Sequence, residues 1–498
     1  MKKIIIFLNI LLSGFIYSQE ITEISAKDAG LKSSPNPVGF FRGNDNQLYR
    51  TQRKDFNKEN RFDLTLERYD EDLGLKFSTL LSFPDDREYP SDWIFLDNKI
   101  YLFTNHYDGA NKTLHLRVLD KETGKVIQEK KQYGSLASDP FGKDSREFII
   151  KLSADKTKIC IISSFQWNKK PQEVKAILYE VEGMKQIAEY KFPDMLNNVL
   201  IKSYSYNLNS DGNLFYVFRN DVKEKDAPKK ETLAIYNFQT KATNYKELEP
   251  STKSLEYSRS FLKGDTYYIT GSFTETISKK EKKVGTYCKT YNIKNLDQFS
   301  LTFDYYPADI ETKLAYKDGS GKRELSEKEI KLTNVYETAN GFYLVQNLAY
   351  TKETSGQQAT YVKYYSRDFL ITKYNKDGKV EFVRTLPKYA WKDMYNSDIM
   401  ESNGNLYVIY CEHPKNLEKY TIDNYDPSNY DDIGDIRGPV PVCVKITLEG
   451  KITRQSLQKN EDWCYYPGYG VKLKNGAQMM AVRVMKDQFI ITVFKVKG

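Results

Sequence analysis

The chain repeats one local pattern, a short polar turn followed by a run of apolar residues. Eight segments show it: NDNQLYRT from Asn44, LDNKIYLF from Leu96, SADKTKICII from Ser153, NSDGNLFYV from Asn209, LKGDTYYIT from Leu262, TANGFYLV from Thr338, ESNGNLYVIY from Glu401 and LKNGAQMMAV from Leu473. Asn, Asp and Gly before an apolar run predict the tip of a β-hairpin. Eight copies, 52 to 75 residues apart, indicate a stacked or circular repeat architecture.

Each copy is followed by a second pair of strand-like runs around a charged turn. Examples are FLITKYNKDGKVEFVRTL (369–386) and VCVKITLEGKITRQSL (442–457). Four strands per repeat are typical of a β-propeller. The aromatic content of 14%, with 39 Tyr and 26 Phe, also favours strands, because these rings pack well on a pleated surface. We therefore predict an all-β fold, a β-propeller of eight four-stranded blades, or of seven if one copy is misread.

The two ends of the chain predict how such a ring closes. The eighth copy offers three strand-like runs, YGVKLK, QMMAVRV and QFIITVFKV, one strand short of a blade. The segment QEITEIS (19–25) alternates between apolar and polar residues and is predicted to complete this last blade. Such pairing would remove an exposed strand edge. Residues 19–498 are therefore predicted to form a single propeller domain.

Residues 1–18 have the pattern of a secretory signal peptide. Lys2 and Lys3 precede an apolar stretch from Ile4 to Leu12, and Ser18 offers a small residue for cleavage. The stretch is short for a membrane span, and no cysteine follows it that could carry a lipid anchor. The Ser-Gln-Glu junction resembles secreted proteins of the Bacteroidota. The C-terminal DQFIITVFKVKG does not resemble the sorting domain of their type IX export system, so we expect a periplasmic location, with secretion as the alternative.

Charge and motifs exclude several classes of function. The formal net charge is +8, but Lys and Arg alternate with Asp and Glu along the chain, which does not predict nucleic-acid binding. The three histidines, His106, His115 and His413, share no metal-ligand spacing, and hydrolase, zincin and P-loop motifs are missing. No catalytic residue, metal or cofactor is predicted. A glycosidase needs only two carboxylates brought together by the fold, so that activity stays open.

The five cysteines match no zinc or redox motif. Cys411 and Cys443 lie in runs that are candidates for adjacent strands, and either a disulfide between them or two thiols is compatible with the sequence. Because the count is odd, at least one cysteine stays unpaired within one chain.

Two long loops interrupt the repeat and are the candidate functional segments, since function is often carried by loops on a rigid scaffold. In 307–332, the stretch SEKEIKL could form a helical turn capped by Ser326. The loop 420–442 is rich in aspartate and tyrosine. It could be a solvated hairpin extension, a calcium loop, or an interface for a protein or glycan. The predicted partner-binding residues are Tyr425, Asp426, Tyr430, Asp431, Asp432 and Asp435.

Two resemblances bear on function. LDKETGKVIQ, from Leu119, resembles a blade turn of the quinoprotein-type propellers, but it occurs once and lacks the tryptophan that often follows, so no quinone cofactor is expected.

The repeat as a whole resembles a β-propeller protein of the Bacteroidota cell envelope. The analogue for its function is the periplasmic propeller scaffold of outer-membrane protein assembly. By this resemblance, the chain is expected to be non-enzymatic and to bind protein. The expected partner is an outer-membrane export or assembly complex, and the chain would be monomeric outside it. A glycan-binding or glycan-hydrolysing propeller is the alternative.

Overall fold

The computed structural model describes most of the chain beyond residue 20. The described residues are 21–32, 39–45, 47–56, 61–70, 74–83, 87–109, 111–137, 145–166, 174–192, 199–201, 205–220, 231–248, 253–278, 281–314, 316–317, 321–322, 330–355, 360–388, 390–391, 397–422, 424–426, 429–431, 440–456, 464–473, 476–485 and 488–497. The predicted signal peptide, residues 1–18, lies outside this set. No helix of the described residues is long and apolar enough to cross a membrane.

The described chain is almost entirely antiparallel β-structure. It begins with β1 (Ile21–Lys32). The first sheet contains β2 (Gly39–Arg42), β3 (Leu48–Phe56), β4 (Arg61–Tyr69) and β5 (Leu75–Phe83). The second contains β6 (Glu88–Phe95), β7 (Lys99–Tyr107), β8 (Asn111–Asp120) and β9 (Val126–Ala137). The third contains β10 (Ser145–Leu152), β11 (Lys158–Gln166), β12 (Val174–Glu180) and β13 (Lys185–Lys191), with a 3-10 turn at Glu182–Met184.

Three further sheets follow the same plan. The fourth contains β14 (Val199–Ile201), β15 (Asn207–Leu208), β16 (Asn213–Asn220), β17 (Glu231–Asn237) and β18 (Ala242–Glu247). The fifth contains β19 (Ser254–Lys263), β20 (Thr266–Ser278), β21 (Glu281–Asn292) and β22 (Asn295–Tyr305). Helix α1 (Ala308–Leu314) and the short hairpin β23 (Tyr316–Lys317) and β24 (Gly321–Lys322) come next. The sixth sheet contains β25 (Ile330–Thr338), β26 (Gly341–Ser355), β27 (Thr360–Asn375), β28 (Val380–Leu386) and β29 (Ala390–Trp391).

The last two sheets belong to a second compact unit. The seventh contains β30 (Asp398–Ser402), β31 (Asn405–Glu412), β32 (Val440–Ile446) and β33 (Ile452–Ser456), with helix α2 (Pro414–Lys419) between β31 and β32. The eighth contains β34 (Cys464–Leu473), β35 (Gly476–Met485) and β36 (Gln488–Lys497), and β1 adds to β36 as its fourth strand. The described residues of 37–392 and 424–430 form one unit, and the described residues of 1–36, 393–423 and 431–498 form the other.

The larger unit is held together by apolar side chains between successive sheets. Each pair of sheets that are neighbours in the chain shares a buried cluster, from the first and second sheets through to the fifth and sixth. Between the second and third sheets, for example, Phe103 and Leu116 pack with Ile159 and Ile161. Four-stranded antiparallel sheets stacked face to face in chain order are the blades of a β-propeller. The chain therefore has an all-β, β-propeller fold.

The repeat seen in the sequence coincides with one position in the sheets. The first apolar residue after each of the eight turns lies in β3, β7, β11, β16, β20, β26, β31 or β35, and each of these strands is paired on both sides. These residues are Leu48, Ile100, Ile159, Leu214, Tyr267, Phe342, Leu406 and Met479. Each of these strands has a neighbour on both sides and a core on one or both faces, so it needs the most apolar sequence. This is why the apolar run is clearest at these strands.

The turn at Asn209–Asn213 shows the structure of the repeated signal. The amide N–H of Gly212 donates to the Asn209 carbonyl at 3.1 Å, and the Asn213 N–H donates to Asn209 Oδ1 at 2.7 Å. Gly212 has φ +83°, a conformation that a residue without Cβ adopts at little cost. At the equivalent turn of the third sheet, Lys156 adopts φ 59°. The segment is thus a hairpin tip, as its sequence predicts.

The structure shows seven blades, so the first prediction of eight is wrong and the smaller predicted number is confirmed. These blades are the seven sheets whose strands follow one another in the chain. The eighth four-stranded sheet is built from both ends of the described chain. In it, Ile21 pairs with Val496 and Ser25 with Thr492, so the predicted neighbour of the last strand is present.

The register between β31 and β32 determines which residues lie opposite Cys411 and Cys443. These strands are adjacent, as expected, but Cys411 lies opposite Pro441, and Cys443 lies opposite Ile409. Cys443 is a buried free thiol, so the disulfide between Cys411 and Cys443 is not formed. Burial raises the pKa of the Cys443 thiol to about 12, which leaves it protonated and unreactive at neutral pH.

Truncating a side chain between the second and third sheets tests the packing. Leu116 is fully buried, and we expect Leu116→Ala to lower the free energy of unfolding by about 2–5 kcal/mol, since it removes apolar contacts and leaves a cavity. Leu80→Ala, at a side chain that is 62% exposed, is the matched control and should change it by less than about 0.5 kcal/mol. Denaturant titration followed by tyrosine fluorescence measures both. Equal effects would contradict the assignment of this core.

Candidate functional site

Exposed apolar side chains concentrate on the strands that end the sheets of the larger unit. Of the ten large apolar side chains that are exposed among the described residues, seven lie on β5, β9, β13, β18 and β22. They are Leu75, Leu80, Ile127, Ile187, Tyr245, Phe299 and Tyr305. Each of these strands is the last of its sheet. We call these five strands the edge surface.

The edge surface combines two features of a protein-binding region. A strand at the end of a sheet has backbone N–H and C=O groups on the side away from its neighbour, and these can pair with another strand. Apolar side chains on the same strands lose water-exposed area when a partner covers them, which stabilises association. Leu80 is 62% exposed and Ile127 is 56% exposed, so neither is needed for the packing between sheets.

A groove of about 540 Å³ lies beside one of these strands, β22. Its lining is mostly hydroxyl, amide and charged: Thr266, Thr290, Asn292, Gln298, Phe299, Ser300, Thr302, Lys376, Asp377 and Lys379. The turn between β27 and β28 is held against the fifth sheet by two hydrogen bonds. Thr302 Oγ1 donates to the Gly378 carbonyl at 2.8 Å, and the Tyr268 hydroxyl donates to the Lys376 carbonyl at 2.7 Å. The groove is thereby fixed between two sheets of one unit.

Two of the predicted partner-binding residues, Tyr425 and Tyr430, are buried rather than exposed. Only 4% and 7% of their surfaces are accessible, and their rings meet edge to face with centroids 5.6 Å apart. The Tyr425 hydroxyl donates to Asp368 Oδ2 at 2.7 Å, and Lys313 Nζ lies 4.9 Å from the Tyr425 ring. These contacts give both tyrosines a structural role within the larger unit. Their assignment as partner-binding residues stays a prediction.

The environment of Asp368 is a buried cluster of charges. Burial raises the pKa of its carboxyl to about 6. The hydrogen bonds from the Tyr425 hydroxyl and the Lys388 backbone N–H, and the charge of Arg367, lower this pKa but do not offset the effect of burial. Arg367 and Lys388 are themselves 4% and 2% exposed. A pattern of aspartate and tyrosine in a loop carries no signal for such a buried partner, because Asp368 lies 57 residues away in the chain.

The aspartates of the same loop have different surroundings. Asp426 is exposed. Asp431 is half-buried, and Asn416 of helix α2 fixes its backbone: Asn416 Nδ2 donates to the Asp431 carbonyl, and the Asp431 N–H donates to Asn416 Oδ1, both at 2.9 Å. Asp432 and Asp435 lie outside the described residues. Their roles, like that of Asp426, stay predictions.

The other long loop, 307–332, differs from its prediction. Ser326 lies outside the described residues, and Ile330–Leu332 belong to β25 rather than to a helix. The described helix of this loop is α1, whose Ile310 and Leu314 are buried against the sixth sheet. The extended conformation of 330–332 follows from pairing with β26, since a strand partner overrides a weak local preference for helix.

The second sheet contains a buried ionic cluster around Glu88. Its carboxylate accepts hydrogen bonds from Thr104 Oγ1 at 2.7 Å and Lys130 Nζ at 2.8 Å, and Arg117 lies 3.4 Å away. Burial alone would raise the pKa of Glu88, but the hydrogen bonds from Lys130 and Thr104 and the charge of Arg117 lower it below its ordinary value. Glu88 is therefore a carboxylate at neutral pH.

His115 belongs to the same cluster and is a strand residue, as its position in TLHLRV predicts. Burial, assisted by the charge of Lys130, lowers its pKa to about 4, so that the imidazole is neutral at pH 7. Its Nδ1 is buried without a hydrogen-bond partner. His413 lies elsewhere, where its side chain accepts from the Lys415 N–H and caps helix α2. Among the described residues, no group of histidine, cysteine, aspartate and glutamate is arranged to hold a metal.

No protein-family model and no curated protein matches the chain. Among solved structures, the WD40 domain of SCAP from fission yeast is similar at 10% identity and a TM-score of 0.39, covering 96% of this chain and 98% of that one. Polysaccharide lyase Uly1 is similar at 10% identity and a TM-score of 0.40, covering 96% and 99%. A structure from a study of two prolyl endopeptidases is similar at 10% identity and a TM-score of 0.42, covering 90% of this chain and 54% of that one. At these values the likenesses assign neither a family nor an activity.

The Glu88 cluster predicts a stability that falls in acid. The pKa of His115 is depressed in the folded state, so the unfolded state takes up a proton as the pH drops below about 6.5, and the folded state does so only near 4. Glu88 adds a loss at lower pH, between its ordinary pKa of 4.5, at which the unfolded state takes up the proton, and its depressed pKa in the folded state. We expect His115→Gln to remove the loss of stability that His115 causes between pH 6.5 and 4, and His413→Gln to preserve that loss. Urea midpoints at pH 7, 5.5 and 4.5 measure the slope, and an unchanged slope in His115→Gln would contradict this.

Tyr425→Phe tests the structural role of the loop. It leaves the Asp368 carboxyl buried without its hydroxyl donor, so we expect the free energy of unfolding to fall by about 1–3 kcal/mol. The same change should raise the pKa of Asp368 further above about 6. Tyr89→Phe, at a side chain that is 41% exposed, is the control. Thermal unfolding and an NMR titration of the aspartate carboxyls measure the two effects. Equal stability of the two variants would show that this hydrogen bond is unimportant.

Proposed function

We propose that the chain is a non-enzymatic β-propeller scaffold that binds a protein partner in the periplasm. The observation that supports this proposal best is the edge surface, where strands with one unpaired edge also expose large apolar side chains. Such strands are used for association with other chains. Residues 1–18 act as the signal peptide in this proposal, and the chain is retained in the periplasm of a Bacteroidota cell.

The partner in this proposal is an outer-membrane export or assembly complex, which the propeller docks on or plugs from its periplasmic side. The chain is monomeric outside that complex and carries no cofactor. β1 pairs with β36, so the two ends of the described chain meet in one sheet of the propeller. In this proposal, Asp426, Asp431, Asp432 and Asp435 contribute charged contacts with the partner.

A glycan-binding or glycan-hydrolysing propeller is the second candidate. The groove beside β22 favours it, because hydroxyl and amide side chains such as Thr290, Asn292 and Gln298 are groups that bind sugar hydroxyls. A glycan array together with a hydrolysis screen separates this candidate from the first.

The first proposal is tested by recovery of the tagged chain from detergent-solubilised cell envelope. We expect a stoichiometric membrane-protein partner with the unaltered chain, and at least a tenfold lower yield with the triple variant Leu80→Gln, Ile127→Gln, Ile187→Gln, since three apolar contacts are lost. The control is Ile277→Gln, at a side chain that is 49% exposed but lies on β20, an interior strand of its sheet. Recovery of the chain alone would count against the scaffold function.

A further inference from the structure

The edge surface contains one strand without lysine, arginine or proline, whose charged residues are Asp297 and Asp304. Natural edge strands carry lysine, arginine or proline, which disfavour the addition of another strand. Six of the first seven sheets end in a strand with at least one basic residue: Lys76 in β5, Lys130 in β9, Lys185 in β13, Lys246 in β18, Arg384 in β28 and Arg454 in β33. Strand β22, NLDQFSLTFDY, has no lysine, arginine or proline over its 11 residues. It also exposes Phe299 and Tyr305.

The ladder between β21 and β22 determines which backbone groups face outward. The Tyr306 N–H donates to the Val284 carbonyl at 3.2 Å, which makes this a hydrogen-bonded pair. In an antiparallel ladder such pairs alternate with pairs whose N–H and C=O groups point away from each other. The register is regular back to Phe299, opposite Tyr291. The outward-pointing backbone groups therefore belong to Phe299, Leu301, Phe303 and Tyr305.

The groove described above runs beside the same strand and carries excess positive charge. Gln298, Ser300 and Thr302 of β22 form part of its lining, and Lys376 and Lys379 stand on the opposing turn with Asp377 between them. Both lysines are exposed, and within the described part of the chain neither forms an ion pair. A strand added to β22 would place every second side chain toward this groove.

We propose that β22 accepts an extended segment of a protein partner as an additional strand, with an acidic side chain of that segment directed toward Lys376 and Lys379. The inference rests on the proposed scaffold function and names one contact that the partner makes within the edge surface. Backbone hydrogen bonds to Phe299, Leu301, Phe303 and Tyr305 supply affinity without regard to sequence, and the groove selects the side chains that alternate toward it. The two lysines favour a carboxylate over a cationic side chain there.

The test uses a synthetic 12-residue peptide in which glutamate alternates with valine and threonine, and a matched peptide with lysine in place of glutamate. We expect the glutamate peptide to bind the unaltered protein in fluorescence anisotropy and the lysine peptide to bind at least tenfold more weakly. In hydrogen–deuterium exchange, the glutamate peptide should slow the exchange of the outward amides of β22. Binding of both peptides with equal affinity, or no binding of either, would overturn the proposal.

A proline substitution tests whether the added strand pairs with the outer edge of β22. Leu301→Pro removes an outward N–H and no bond to β21, so the sheet is preserved while strand addition is blocked, and we expect at least a tenfold loss of glutamate-peptide binding. The matched control is Glu189→Pro in β13. The Phe192 N–H donates to the Val174 carbonyl at 3.0 Å, so by the same alternation the Glu189 N–H also points outward. Circular dichroism checks that each variant is folded, and Lys376→Glu with Lys379→Glu gives an independent variant that leaves β22 unchanged.

The outcomes separate this site from the scaffold function. If the envelope experiment recovers a partner equally with the unaltered chain and with Leu301→Pro, the scaffold function stands and the β22 site is wrong. If no partner is recovered but the glutamate peptide binds at β22, the site stands and the proposed partner is wrong. Competition of the peptide by a neutral oligosaccharide, with loss of binding in Asn292→Ala, would identify the groove as a sugar site and overturn the strand addition.

Discussion

The structure depends on the packing of apolar faces between successive four-stranded sheets. Each sheet satisfies its own backbone hydrogen bonds through antiparallel ladders, but it leaves an apolar face that water disfavours. In the larger unit, residues such as Phe103, Leu116 and Ile159 bury these faces pairwise, sheet against sheet in chain order. The last strands contribute side chains such as Phe83 and Tyr133 to this packing, but each also has one unpaired edge and exposes other apolar side chains.

The same arrangement accounts for the location of the candidate sites. The edge surface arises because the last strand of a sheet has a neighbour on one side only, and the groove arises where a turn of the sixth sheet lies against the fifth. The buried clusters around Glu88 and Asp368 have a different character. Their ionisable groups are satisfied by partners within the fold, and their perturbed pKa values follow from burial. Perturbed pKa values are common at functional sites, but buried ion pairs that support structure produce them as well.

The acidic loop shows how far a local pattern can mislead about exposure. Aspartates interleaved with tyrosines predict a solvated surface, and Asp426 is exposed as expected. Tyr425 and Tyr430 are instead buried, because Asp368 provides a hydroxyl acceptor and the two rings contact each other. A tyrosine can bury its ring whenever a partner for its hydroxyl is within reach, and that partner was 57 residues away in the chain. Likewise, the helical turn predicted within 326–332 is not formed at Ile330–Leu332, because these residues pair with β26.

The sequence by itself determined the repeat, the strand at the centre of each copy and the hairpin at Asn209–Asn213. These features are local: a turn needs residues that tolerate its dihedral angles, and a strand with neighbours on both sides needs a continuous apolar run. The pairing of the N-terminal strand with β36 also followed from the count of strands in the last copy. Only the tertiary structure decided that Cys411 faces Pro441 rather than Cys443, that Tyr425 is buried, and which amides of β22 point outward. Each of these depends on the register and proximity of segments distant in the chain, which no local pattern encodes.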